Sequence, residues 1–198
     1  LEVASDRLLE LIQKGITVAQ VAQVDRNFTE AGIMVHAYLM FGFPTQTAQE
    51  TIDSLEMVRQ MFKAGILQSA FWHLFTMTAH SPVGLEPAKF KVRKENEALG
   101  AFANNDLQHI DESGADHGAF SFGLKKSLFN FMHGICLDDP LQKWFEFKVP
   151  KTRIAPDYIV NALLEDRFAS AKPTAKIVWL GKKPMLETYT KSKKEYWV

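Results

Sequence analysis

Apolar positions along the first eighty residues switch between two periods. Leu8, Leu9 and Ile12 sit on a short segment that Ser5 can cap, and Gly15 is the expected stop. Thr17 with Gln20 forms a capping-box pattern, and Val21, Val24 and Phe28 follow three and four apart, up to Gly32. Ile33 to Phe41 is then almost unbroken apolar sequence, interrupted by His36 and Tyr38 and closed by Gly42 and Pro44. Such a run predicts a strand buried between helices in a parallel sheet. His36, Tyr38 and Met40 fall on one of its faces. Thr47 with Glu50 opens another capping box, and Ile52, Leu55, Val58 and Phe62 mark a helix face up to Gly65. Leu67 to Thr76 is the next strand, rich in aromatic residues. With Leu1 to Ala4 as the end of an earlier strand, the order is strand, helix, strand, helix, strand. The repeat is about 34 residues, which predicts right-handed parallel crossovers, as in part of a (β/α) barrel or a doubly wound sheet.

The pattern changes after Ala79. His80-Ser81-Pro82-Val83-Gly84 has loop chemistry. Lys89 to Phe102 reads as a short charged helix, and Asn104 to Gly118 as a polar, acidic loop. Helices are expected over Leu124–Ile135, from Asp138-Asp139-Pro140 through Trp144 and Phe145, and after Pro156-Asp157. Lys176–Leu180 and Met185–Tyr189 flank Gly181–Pro184 and predict a hairpin. The expected organisation is therefore α/β over 1–85, then a mostly helical region with a β-hairpin over 86–198.

Composition narrows the classes. The 198 residues are 46% hydrophobic with zero formal net charge, which suits a real core and gives no electrostatic case for nucleic acid or an anionic membrane. No apolar run reaches membrane-spanning length and no signal peptide is visible, so a cytoplasmic location is expected. The one cysteine, Cys136, excludes an internal disulfide and any multi-cysteine metal site, and it reads as a small buried hydrophobe. His109, Asp111, Glu112, Asp116 and His117 are metal-ligand residue types, but so polar a stretch reads as solvated and no metal site is assigned. The basic end with Lys191, Lys193 and Lys194 reads as solvated too. The chain opens on Leu1-Glu2-Val3 without an initiator methionine, which is expected of a piece of a longer protein.

Several motifs, in order, resemble the later half of a radical S-adenosylmethionine (SAM) enzyme barrel. Glu2-Val3-Ala4-Ser5-Asp6-Arg7-Leu8-Leu9 and Lys14-Gly15-Ile16-Thr17 are similar to the family's fourth strand and the helix after it. Ala31-Gly32-Ile33 and Gly42-Phe43-Pro44, with Thr47 and Glu50, look like the fifth strand and its glycine-x-proline turn. Thr78-Ala79-His80-Ser81-Pro82 falls where the sixth strand leaves the barrel. The resemblance covers residues 1–85 and is nearest to the branch of Fe-S oxidoreductases that often carries a cobalamin-binding domain.

The resemblance implies a partial (β/α) TIM-like barrel whose parent cleaves SAM reductively to a 5′-deoxyadenosyl radical for hydrogen abstraction. It implies SAM and a 4Fe-4S cluster as cofactors of the parent, with cobalamin possible in an upstream domain. The family's CxxxCxxC loop is missing from this chain, so the chain alone is expected to be inactive. By the same resemblance Glu2 accepts hydrogen bonds from SAM, Lys14 pairs with its carboxylate, and the backbone at Phe41 and Gly42 lies along the adenine. Tyr38 stands where some members place an acidic ribose ligand, a departure from the pattern. His36, His73 and His80 are substrate-facing candidates, no catalytic residue is identified, and the substrate is unspecified. Self-association through an exposed sheet edge at residues 1–4 is expected. The rival readings are another (β/α) barrel enzyme and a non-catalytic interaction module after residue 120.

Overall fold

The structure, a computed structural model, describes residues 2–95, 105–112, 115–164, 188–191 and 194–197. Residues Leu1–Glu165 form one compact unit and Asp166–Val198 a second.

The first unit is mixed α/β. Helix α1 (Asp6–Leu11) starts at Ser5, whose hydroxyl accepts from Leu8 N–H. It ends four residues before Gly15: Gln13 takes the left-handed conformation at φ 56°, and Lys14 N–H closes back on the Leu9 carbonyl. Helix α2 (Val18–Glu30) and helix α3 (Ala48–Lys63) both begin with complete capping boxes, at Thr17/Gln20 and Thr47/Glu50. Strands β1 (His36–Phe41) and β2 (Ser69–Leu74) pair in parallel, His36 opposite Ser69 through Phe41 opposite Leu74, with α3 as the crossover. The backbone at Glu2 lies along the other edge of β1, where its carbonyl accepts from Met40 N–H. The head of the chain, expected as a strand over Leu1–Ala4, runs beside β1 through this bond, but residues 2–4 form no strand; Val3 and Ala4 are wholly buried. The described sheets contain two strands each, with no closed barrel.

Beyond Thr76 the sequence-based expectations fare less well. Met77–Thr78 (β3) pairs with Asp106–Leu107 (β5), and Val92–Lys94 (β4) with His109–Asp111 (β6), both antiparallel. The expected helix at Lys89 is a 3-10 turn over Pro87–Phe90 running into β4, and the expected acidic loop contains β5 and β6. These strands are too short to show a period, so the polar residues read as loop. A four-residue helix, α4 (Pro82–Leu85), lies between β3 and that turn. Helix α5 spans His117–Met132, starting seven residues before the expected Leu124, because Asp116 caps it by accepting from Ala119 N–H. The segment from Asp138 holds only a 3-10 turn over Leu141–Trp144. Helix α6 (Tyr158–Leu164) follows Pro156-Asp157 as expected.

The core shows why α2 and α3 differ from their sequence patterns. Val21 on α2 is buried, but Val24 and Phe28 are exposed, and Gln23 and Asp25 are buried instead. Gln23 Nε2 and Arg26 Nη1 donate to the Ala162 and Leu163 carbonyls, closing the C-terminal end of α6. On α3 the polar side is covered as well. Asp53 accepts from Arg153 N–H and the Thr152 hydroxyl, Gln60 bonds Ala155 O and Ile159 N, and Arg59 donates to Asp139 O. The extended chain from 136 to 158 is strapped across α3 by these side chains, which sequence alone assigns to solvent. Cys136, expected to be buried, is only partly so and sits in the left-handed region at φ 60°.

In the second unit β7 (Thr188–Lys191) and β8 (Lys194–Trp197) pair antiparallel. The hairpin expected around Gly181–Pro184 lies outside the described residues apart from Thr188 and Tyr189.

Candidate functional site at the carboxyl ends of the parallel strands

Both parallel strands end at one place. Phe43 lies just past β1 and Phe75 just past β2, their rings 5.1 Å apart edge to face. Phe90, from the 3-10 turn, also meets Phe43 edge to face, at 6.1 Å. Together with Met40, Ser81 and the turn after α1, they line a cavity of about 320 Å³. That is at the small end of ordinary ligand sites, which run from about 300 Å³. Its position outside the carboxyl ends of parallel strands is where α/β folds bind ligands.

Glu2 and Lys14 meet in this cavity. The left-handed Gln13 turns the chain so that Lys14 Nζ reaches Glu2 Oε1 at 2.8 Å. Both side chains remain nearly half exposed, 42% and 47%, so the pair contributes at most about 1 kcal/mol and opens easily. The sequence places these residues twelve apart and the structure joins them. Their opposite charges match the ammonium and carboxylate of a zwitterion.

The other expected cofactor residues lie elsewhere. Phe41 is fully buried on the helix side of β1, edge to face with Trp72. Gly42, at φ 76°, gives its N–H to Gln46 Oε1, and Leu74 and His117 close over its α-carbon. Its backbone therefore presents no free surface. Tyr38 is 64% exposed on the open face of the sheet, 5.2 Å from the His36 ring. His73 is opposite Met40 in the register, on that same face. His80 is exposed in the turn before α4.

A second constellation locks the loop after β1. Arg7 holds Glu50 through two bonds of 2.6 and 2.8 Å, and also donates to the Thr45 carbonyl and hydroxyl. Burial pushes the Glu50 carboxyl up, but hydrogen bonds from Arg7 and Thr47 outweigh it and hold it below the usual range. Thr45 is β-branched with φ 70°, a strained state that these contacts and its N–H bond to Asp111 Oδ2 maintain. His117 Nε2 lies 3.7 Å from the same Asp111 oxygen, and neither ring nitrogen finds a hydrogen-bond partner. Burial lowers the His117 pKa while Asp111 opposes the shift. Arg7, Gln46 and this use of Asp111 and His117 are absent from the sequence reading, since each pairing spans distant segments or a short strand. Phe43 and Phe75 had a legible signal: each is the first aromatic past a strand's carboxyl end.

The residues fit the two expected cofactors unequally. The cavity's paired charges and aromatic walls suit an amino-acid-bearing ligand such as SAM. A 4Fe-4S cluster requires at least three thiolates and Cys136 is the chain's one cysteine, so the cluster does not fit these residues. Among the described residues no group of three or more His, Cys, Asp or Glu is placed to hold a metal ion. In comparisons with known proteins, no family model, curated protein or solved structure matches the chain. No helix among the described residues is long and apolar enough to cross a membrane.

Proposed function

We propose that the cavity holding Glu2 and Lys14 is a SAM site, and that the chain is the later half of a radical SAM enzyme's partial (β/α) barrel. The observation that carries this reading is the meeting of Glu2 and Lys14 in one cavity at the carboxyl ends of β1 and β2. Those two residues are the ones the motif resemblance assigns to the ligand. In the parent, SAM supplies radical chemistry by reductive cleavage; this chain's residues bind and orient it. Lys14 Nζ pairs with the ligand carboxylate. Glu2, released from Lys14, accepts from its amino or hydroxyl groups. Phe43 and Phe75 exclude water from the site. The cluster and its electron are the business of residues other than these.

Binding can be tested apart from activity. In a two-dimensional NMR titration of the 198-residue chain, SAM should shift signals of Glu2, Lys14, Met40 and Phe43, with affinity in the millimolar range because half the ligand is unburied. Lys14→Ala should weaken binding by about 1–3 kcal/mol, and Lys14→Arg should retain much of it. Affinity unchanged by Lys14→Ala, or shifts confined to other residues, would overturn the assignment.

A further inference from the structure

The loop after β1, Gly42 to Gln46, brings Phe43 to the cavity wall and is held from four sides. Gln46 Oε1 accepts from the N–H groups of Gly42 and Phe43. Arg7 donates to the Thr45 carbonyl and hydroxyl. Asp111, from β6, accepts from Thr45 N–H. His117, the first residue of α5, lies over Gly42: a Cβ placed on that glycine would fall 3.0 Å from His117 Cβ. The Gln46 amide does not titrate, and Glu50 pushes the Arg7 pKa up, so Arg7 stays charged. Imidazole is the side chain whose ordinary pKa puts a change of charge between about pH 5 and 8.

The slot over Gly42 suits a neutral ring. The His117 side chain is 10% exposed, and neither ring nitrogen has a hydrogen-bond partner. Nε2 is 3.7 Å from Asp111 Oδ2, too far for a hydrogen bond, and that oxygen already serves Thr45. The unpaired N–H groups at the start of α5 place partial positive charge beside the ring, which disfavours a cation. The charged groups facing it divide. Asp111 on β6 and the N-cap Asp116 favour protonation, while His109 on β6 opposes it. At the end of β2 stands apolar Leu74, and beyond Thr45 the Arg7–Glu50 pair has no net charge. Burial is the largest influence and holds the His117 pKa below the usual 6.5.

We propose that His117 is an acid-released latch: protonation drives its ring out of the slot over Gly42 and loosens the loop that carries Phe43 into the cavity. A charge in that dry slot costs more than one carboxylate at 3.7 Å returns, so the imidazolium turns out to water. Gly42 is then uncovered, the first turn of α5 loses its anchor, and the loop keeps three of its four holds. The latch is fully closed above about pH 6.5 and opens as pH falls below it. That it regulates SAM rests on the SAM reading of the cavity; the latch itself does not.

The test follows His117 by NMR in the 198-residue chain, titrated from about pH 8 to 5. Its imidazole midpoint should lie below 6.5. Hydrogen-exchange protection of the Gly42, Phe43 and Thr45 amides should fall about tenfold through that midpoint, the equivalent of a one-unit shift. His117→Phe fills the slot without titrating and should keep protection flat. Asp111→Asn leaves Thr45 an acceptor but removes the counter-charge, so the His117 midpoint should drop further. A ring that merely packs in place would move neither. Asp25 titrates at about 6 but stabilises the fold toward acid, so it does not mimic the loss. SAM affinity should weaken through the same midpoint in the parent chain and not in His117→Phe. A midpoint at or above 6.5, unchanged protection, or an equal fall in His117→Phe would overturn the latch. Protection lost through the midpoint without SAM shifts defeats the cofactor site alone; Lys14-dependent SAM shifts with protection unchanged defeat the latch alone.

Discussion

The two faces of the β1–β2 pair carry opposite kinds of residue for the same backbone. Toward the helices stand Ala37, Leu39, Phe41, Ala70 and Trp72, none more than 5% exposed. Toward the open side stand His36, Tyr38, Phe71 and His73, two of them substantially exposed aromatics. Both faces look apolar in the sequence, which is why the run predicted burial on both sides. The difference lies in the kind of apolar residue. The closed face carries the buried Ala37, Leu39 and Ala70 with one buried ring pair, Phe41 and Trp72. The open face carries two imidazoles and the Tyr38 phenol, whose polar atoms can meet water, beside the wholly apolar Phe71 ring. Apolar content alone therefore does not separate the buried face from the open one, and ring type does not either, since Phe41 is buried and Phe71 exposed; tertiary packing decides it.

The sharpest test of this contrast pairs one ring from each face. Trp72→Ala should destabilise the fold by about 3–5 kcal/mol, since a fully buried ring leaves a cavity. Tyr38→Ala should change it by less than about 1 kcal/mol. Urea unfolding followed by circular dichroism measures both, and equal losses would erase the distinction between the faces. A smaller effect is expected where the two faces meet, at the carboxyl end of β1. At Gly42 an added Cβ would fall 2.7 Å from Leu74 Cδ1 and 3.0 Å from His117 Cβ, in a backbone with φ 76°. Gly42→Ala should cost about 2–3 kcal/mol, combining the left-handed penalty with displacement of His117. If Gly42→Ala is neutral in the same assay, α5 is not packed against the loop as described.

The smallest effect concerns an acid on the buried stripe of α2. Asp25 has its pKa pushed up from 3.8 to about 6, chiefly by burial. The folded state thus disfavours the charged form. Stability should be fully present below about pH 4 and decline as pH rises through 6, levelling above it. Asp25→Asn should flatten that slope and gain about 1–2 kcal/mol at pH 8, a range reduced for partial solvation. A pH-stability profile of the two proteins decides it; parallel curves between pH 4 and 7 would place Asp25 in water.

Much of the first eighty residues was legible because their signals are local. Capping boxes at Thr17 and Thr47 and glycine stops at Gly32 and Gly65 involve residues within one turn of each other, and all appear as read. The parallel pairing of β1 and β2 followed from run lengths and connection lengths. The register, which no local signal fixes, puts Tyr38 opposite Phe71. After Ala79 helices α5 and α6 are legible, but the short strands are not, because two- and three-residue strands have no period and take their hydrogen bonds from distant partners. Arg7 binding Glu50 and Thr45, Gln23 and Arg26 closing α6, and Asp53 and Gln60 strapping the chain across α3 join residues from 38 to 139 positions apart. A polar side chain on a helix looks solvent-facing until the structure supplies its partner. The sequence by itself determined the helix starts, the β1–α3–β2 crossover and the chemical types at the candidate site. Tertiary structure decided which charges met in the cavity, which apolar face stayed open and which polar residues were buried, because each depends on which distant segments come into contact.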